Sequence, residues 1–139
     1  TFLASSLPSE KEVTDYKGEI EKKALILKGF EYSSNIGLTR SLLMIRFMEV
    51  LMQTTPIERQ YFFNGIIAAQ DMLTIRESTC FLDLNKYGAY LLLGDKNRCE
   101  IYRDLLLEKL RVSRKIVIKH SNLLEKATVA GIHKVMEQL

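Results

Sequence analysis

Gly94 stands between the apolar run Ala89-Tyr90-Leu91-Leu92-Leu93 and a helical stretch that opens at Asp95. A glycine at the carboxyl end of a parallel strand lets backbone approach a ligand, and the amides of the next helix face the same space, which is where open α/β sheets hold nucleotides. The segment Leu91-Leu92-Leu93-Gly94-Asp95-Lys96-Asn97 could therefore bring backbone close to a nucleotide. An ordinary turn is the competing reading, because no glycine-rich phosphate cradle of the Walker or dinucleotide type occurs in the sequence. Arg46 is the second candidate, set among Leu42, Leu43, Phe47 and Val50 and expected to be largely buried. A buried guanidinium requires an anion, so either Glu49 or Asp71 satisfies it internally or it awaits an anionic ligand such as a carboxylate. His120 and His133 lack a Cys or acid at triad or metal spacing, and polar surface roles are expected for both. Cys80 and Cys99 are the only cysteines and likewise suggest no zinc site.

The elements that must hold these residues follow from periodicity. Residues 1–15 carry Ser5, Ser6, Pro8 and Ser9, break any regular pattern, and read as a connecting segment. A first helix over 16–32 is predicted by Ile20, Ala24, Leu27 and Phe30, with Gly37 as its stop. The next, over 38–52, is apolar nearly all round, which predicts a buried helix. Thr55 as N-cap, Pro56 at the first position and Glu58 in the first turn predict a third helix over 56–75. Gly65, inside that helix, costs about 1 kcal/mol relative to Ala and must serve either close packing or ligand access. Residues 89–93, an apolar run bounded by glycines, then read as a buried strand and 115–119 as a second strand rich in β-branched residues, flanking a helix over 95–110: a βαβ unit whose strands should run parallel. Ser121 or Asn122 caps a last helix to about residue 137. The layout is α/β: a helical region over 16–78 and a βαβα region over 79–139, expected to form one compact domain.

Composition narrows the function classes. At 139 residues with 47% apolar and 27% charged side chains, the chain can bury a real core. Its net charge of +3 is spread among alternating acids and bases, so no nucleic-acid footprint is expected. The most basic stretch, 111–120, interleaves Arg111, Arg114, Lys115 and Lys119 with Val112, Ile116, Val117 and Ile118, as a strand with solvated ends does. No apolar run reaches the 18 or so residues of a membrane span, and no signal peptide is visible, so neither membrane insertion nor secretion is expected. The two separate thiols fit a cytoplasmic location. The first residue is Thr1, which leads to the expectation that the chain is processed or cut from something longer.

Four segments, in order, carry a resemblance. Leu42-Leu43-Met44-Ile45-Arg46 resembles the Leu-Phe-x-x-Arg segment of 2-keto-3-deoxygalactonate kinases, and Phe62-Phe63-Asn64-Gly65-Ile66-Ile67 is similar to their Tyr-Leu-Ser-Gly-Leu-Leu stretch, with Asp71 as the acid that follows. Leu93-Gly94 with Tyr102 resembles the strand-end glycine and downstream tyrosine of the next motif, and Ala127-Thr128-Val129-Ala130-Gly131-Ile132 matches the closing Ala-x-x-x-Gly-Leu. Leu43 replaces the family's aromatic and Phe47 its common Thr, changes that bear on substrate specificity more than on fold. The resemblance spans residue 25 to the end and covers only the C-terminal part of such an enzyme. It implies part of an actin-like, hexokinase-type ATPase fold with ATP in a cleft and Mg as counter-ion, transferring a phosphoryl group to the 6-hydroxyl of the sugar acid. Gly94, Asp95 and Asn97 would lie beside the adenosine, with Arg46 a candidate for the sugar-acid side. The phosphate-contacting turn and the catalytic Asp would belong to the missing N-terminal half, so no catalytic residue is assigned and the isolated chain is expected to be inactive. The contrasting expectation is a non-catalytic interaction module presenting the helices over 38–52 and 56–75 to a partner.

Overall fold

The computed structural model describes residues 5–9, 21–77, 86, 88–119 and 121–137, with backbone alone for 121–125 and 135. His120, Cys80 and most of the start of the first predicted helix lie outside these residues. The protein is mixed α/β and mostly helical, with one two-stranded parallel sheet among the described residues. Where one domain is expected, the chain divides into two compact units, Thr1–Glu77 and Ser78–Leu139.

The first unit is built from α1 (Lys22–Ile36), α2 (Leu38–Val50) and α3 (Pro56–Glu77). A single residue, Gly37, joins α1 to α2; it takes a φ of 85°, open to glycine at no steric cost, and its N–H donates to the Ser33 carbonyl at 3.0 Å. Thr55 and Glu58 form a reciprocal cap on α3. The Glu58 carboxylate accepts from the Thr55 N–H and hydroxyl, both at 2.7 Å, and the Glu58 N–H donates back to the Thr55 hydroxyl at 3.4 Å. These bonds hold the Glu58 carboxyl below its ordinary pKa.

The core of this unit is Ile45 and Met48 of α2 against Phe62 and Ile66 of α3, with Tyr32 of α1 tilted on Phe62 at 5.9 Å between ring centres. α1 and α3 approach until backbone meets backbone. A Cβ on Gly65 would be driven into the Ile26 carbonyl and the Phe30 amide, and one on Gly29 into the Phe62 carbonyl. Gly65 is thus a packing residue, which decides the question its sequence position leaves open. Leu7 packs on the same core and Ser6 is fully buried, so part of the segment read as a connector is a structural piece of the unit.

The second unit is β1 (Ala89–Leu93), α4 (Lys96–Glu108), β2 (Lys115–Lys119) and α5 (Ser121–Met136). The strands pair parallel, Ala89 opposite Lys115 through Leu93 opposite Lys119, as the crossover length predicts. α4 packs against both strands through a buried face that includes Cys99, Ile101, Leu105 and Leu106. Burial pushes the Cys99 thiol pKa up. Strand alternation puts Tyr90 and Leu92 on the half-buried side and turns Leu91 and Leu93 outward, 57% and 58% exposed. Parallel sheets are ordinarily covered on both faces; this one has a largely bare face. The expectation of a buried strand at 89–93 is corrected accordingly: α4 packs against the sheet, while Leu91 and Leu93 face outward.

Candidate functional site

In the second unit the strand-to-helix turn has the geometry read from its sequence. The Gly94 N–H donates to the Lys119 carbonyl at 3.4 Å, carrying the ladder one residue beyond β1. Gly94 then adopts a φ of 152°, which side-chain-bearing residues rarely reach, while the space around its missing Cβ is ordinary, with the Cys99 sulfur 3.7 Å away. The requirement for glycine is conformational: the chain must leave the sheet and enter α4 within two residues. Asp95 is the N-cap, its side chain accepting from the Arg98 N–H at 2.9 Å. Asn97 is exposed in the first turn of α4, next to Arg98, whose guanidinium lies over the Tyr102 ring at 5.5 Å.

This arrangement favours one kind of nucleotide contact over another. The Asp95 carboxylate occupies one of the amide donors at the start of α4, the Arg98 N–H, and brings negative charge to the helix entrance. A phosphate is disfavoured there. A ribose hydroxyl or an adenine amino group, each a donor, suits Asp95, and Asn97 can donate and accept. The turn therefore suits a donor group better than an anion, and among the described residues no cluster of His, Cys, Asp or Glu could hold a metal ion.

In the first unit the candidate Arg46 departs from its expectation of burial. Its side chain is 49% exposed and donates to Glu49 Oε2 at 2.5 Å, with the Ser6 hydroxyl at 3.5 Å. The apolar neighbours Leu43, Phe47 and Val50 turn to solvent with it, because α2 buries only the face bearing Ser41, Ile45 and Met48. Glu49 also accepts the Ser6 hydroxyl at 2.6 Å, and that bond, followed by Arg46, holds its carboxyl below the ordinary range. An incoming carboxylate would have to displace Glu49 from Arg46.

The buried guanidinium belongs to Arg59, 5% exposed, which sequence reading missed. Its Nε donates to the Ser6 carbonyl at 2.5 Å and a terminal nitrogen donates to the Thr54 carbonyl, with Glu49 at 4.0 Å. A signal was present: Arg59 sits three residues before Phe62 and seven before Ile66, on the inward stripe of α3. Arg59, Glu49, Arg46 and Ser6 thus form one polar cluster that fastens the N-terminal segment to α2 and α3.

His133 is exposed and faces Glu137 at 3.2 Å, one helical turn on, as a surface pair. Among the described residues no helix is long and apolar enough to cross a membrane. No protein-family model, curated protein or solved structure matches the chain.

Proposed function

We propose that the chain is the C-terminal, nucleotide-side part of an ATP-dependent sugar-acid kinase of the actin-like ATPase type, phosphorylating 2-keto-3-deoxygalactonate. The observation that carries the reading is the parallel β1–α4–β2 unit with Gly94 and Asp95 at the carboxyl end of β1, the place where such sheets hold nucleotides. The bare face of that sheet adds support, since a parallel pair covered on one side is what remains when a larger α/β domain is divided. In this reading the chain's own residues position adenosine: Gly94 admits the ligand to the backbone, and Asp95 and Asn97 orient it by hydrogen bonds. ATP supplies the transferred phosphoryl group, with Mg as its counter-ion held by the other half. Arg46 is kept as the candidate for the sugar-acid carboxylate, reached by exchanging Glu49 for substrate.

The test is amide NMR of the chain titrated with Mg-ATP to millimolar concentration. Shifts at Gly94, Asp95 and Asn97 are expected, with no phosphorylation of the sugar acid by the chain alone. Unmoved amides at those three residues, or turnover by the isolated chain, would overturn the proposal.

A further inference from the structure

The outward face of α2 carries Leu43, Phe47 and Val50, 48%, 52% and 56% exposed, and continues into Leu51 at the helix end. Spacings of four and three residues place these side chains on one stripe, opposite the buried face of Ser41, Ile45 and Met48. Such a stripe is the seam along which two helices pack.

Charge identifies the occupant. α2 has no acid in its first turn and no base in its last, and its first turn holds the exposed Arg40. That is the inverse of what the helix dipole favours, cations belonging at the C-terminal end. A second copy laid antiparallel reverses the fault twice. With a two-fold axis at Phe47, the centre of the stripe from Leu43 to Leu51, each Arg40 lies about 10 Å from the axis at a rise of about 1.5 Å per residue. It then reaches the C-terminal carbonyls of the other copy's α2. Each Phe47 meets Phe47 across the axis, and Leu43 lies level with Leu51 of the other copy. Arg46, which flanks the stripe, is already neutralised by Glu49 and brings no unpaired like charge to the contact.

We infer that the chain forms a homodimer through an antiparallel α2–α2 pair centred on Phe47, with Arg40 of each copy capping the other's helix. The interface is isologous and closes at two copies. It stands apart from the nucleotide reading, since none of Gly94, Asp95 or Asn97 makes it, while Arg46 flanks it.

Sedimentation equilibrium of the 139-residue chain tests this. A monomer–dimer equilibrium is expected, weakened about tenfold or more by Phe47→Asp, as for a central aromatic anchor. Circular dichroism should be unchanged in that variant, because Phe47 lies outside the core. Leu43→Gln is a milder variant expected to weaken the dimer in the same direction. Arg40→Glu separates register from simple stickiness: it should raise the thermal midpoint of the monomer, by correcting the helix dipole, while weakening the dimer. A chain that stays monomeric at all concentrations overturns the proposal. So does a dimer indifferent to Phe47→Asp, and a dimer indifferent to Arg40→Glu overturns the antiparallel register.

Discussion

Residues 22–77 lock two helices together until backbone meets backbone at Gly29 and Gly65, with one apolar stripe of α2 left outside, whereas residues 89–136 leave one face of their sheet in solvent. The difference lies in what each element can satisfy alone. A helix completes its own backbone hydrogen bonds and needs a partner for one stripe only, so three helices can enclose a core of Ile45, Met48, Phe62 and Ile66. Two parallel strands satisfy half of theirs in the pair, and they offer two faces to cover. The helical unit should therefore hold most of the chain's stability, and the sheet unit should depend more on whatever covers Leu91 and Leu93.

The comparison breaks most sharply at the helix crossing. Gly65→Ala forces a methyl group into the Ile26 carbonyl and Phe30 amide, atoms that cannot swing aside, and should cost about 3 kcal/mol or more in urea unfolding followed by helicity. A loss below about 0.5 kcal/mol would mean that α1 and α3 are not locked, and the contrast between the units would fall. Next in size is Arg59→Met, which strips hydrogen bonds from the Ser6 and Thr54 carbonyls and should cost about 2 kcal/mol. Arg46→Ala, at the exposed end of the same cluster, should cost less than about 1 kcal/mol. Equal losses for the two arginines would show that their difference in burial has no energetic weight.

A smaller effect, confined to the sheet unit, is expected from Asp95→Ala. Loss of the cap to the Arg98 N–H should cost about 1 kcal/mol and appear as faster hydrogen exchange in the first turn of α4, with α3 unaffected. The smallest concerns acid. Glu49 and Glu58 are held below their ordinary pKa of 4.5 in the folded unit by Ser6, Arg46 and Thr55. The unfolded chain then binds more protons in the acid range, so this contribution is complete above about pH 4.5 and is lost as pH falls below it through the folded values. Glu49→Gln combined with Glu58→Gln should flatten the acid limb of the stability curve; an unchanged slope would assign acid sensitivity elsewhere.

The sequence was legible where local chemistry has one solution. Thr55, Pro56 and Glu58 announce the start of α3, the apolar run 89–93 between Gly88 and Gly94 marks β1, the β-branched Ile116-Val117-Ile118 marks β2, and the crossover length gives their parallel pairing. Periodicity failed where both faces of an element are apolar. In α2 nothing local says whether Ile45 or Phe47 turns inward, and the surroundings of Arg46 depend on that choice. Arg59 was hidden for the opposite reason: its partners Ser6 and Thr54 use backbone carbonyls, which every residue type carries and no motif records. At Gly94 the turn itself was readable, while the role of Asp95 as a cap bonded to Arg98 required coordinates.

The close approach of α1 and α3, at Gly29 against Phe62 and at Gly65 against Ile26 and Phe30, also constrains how this chain can diverge. Each position is closed by the backbone of the opposite helix, so replacing either glycine alone meets the same wall, and replacing both requires α1 and α3 to separate and the core to be rebuilt at once. No sequence of single, individually tolerated changes leads out of that arrangement. Among descendants of this chain the two glycines should be retained or lost together, while the outer positions of the same helices drift freely.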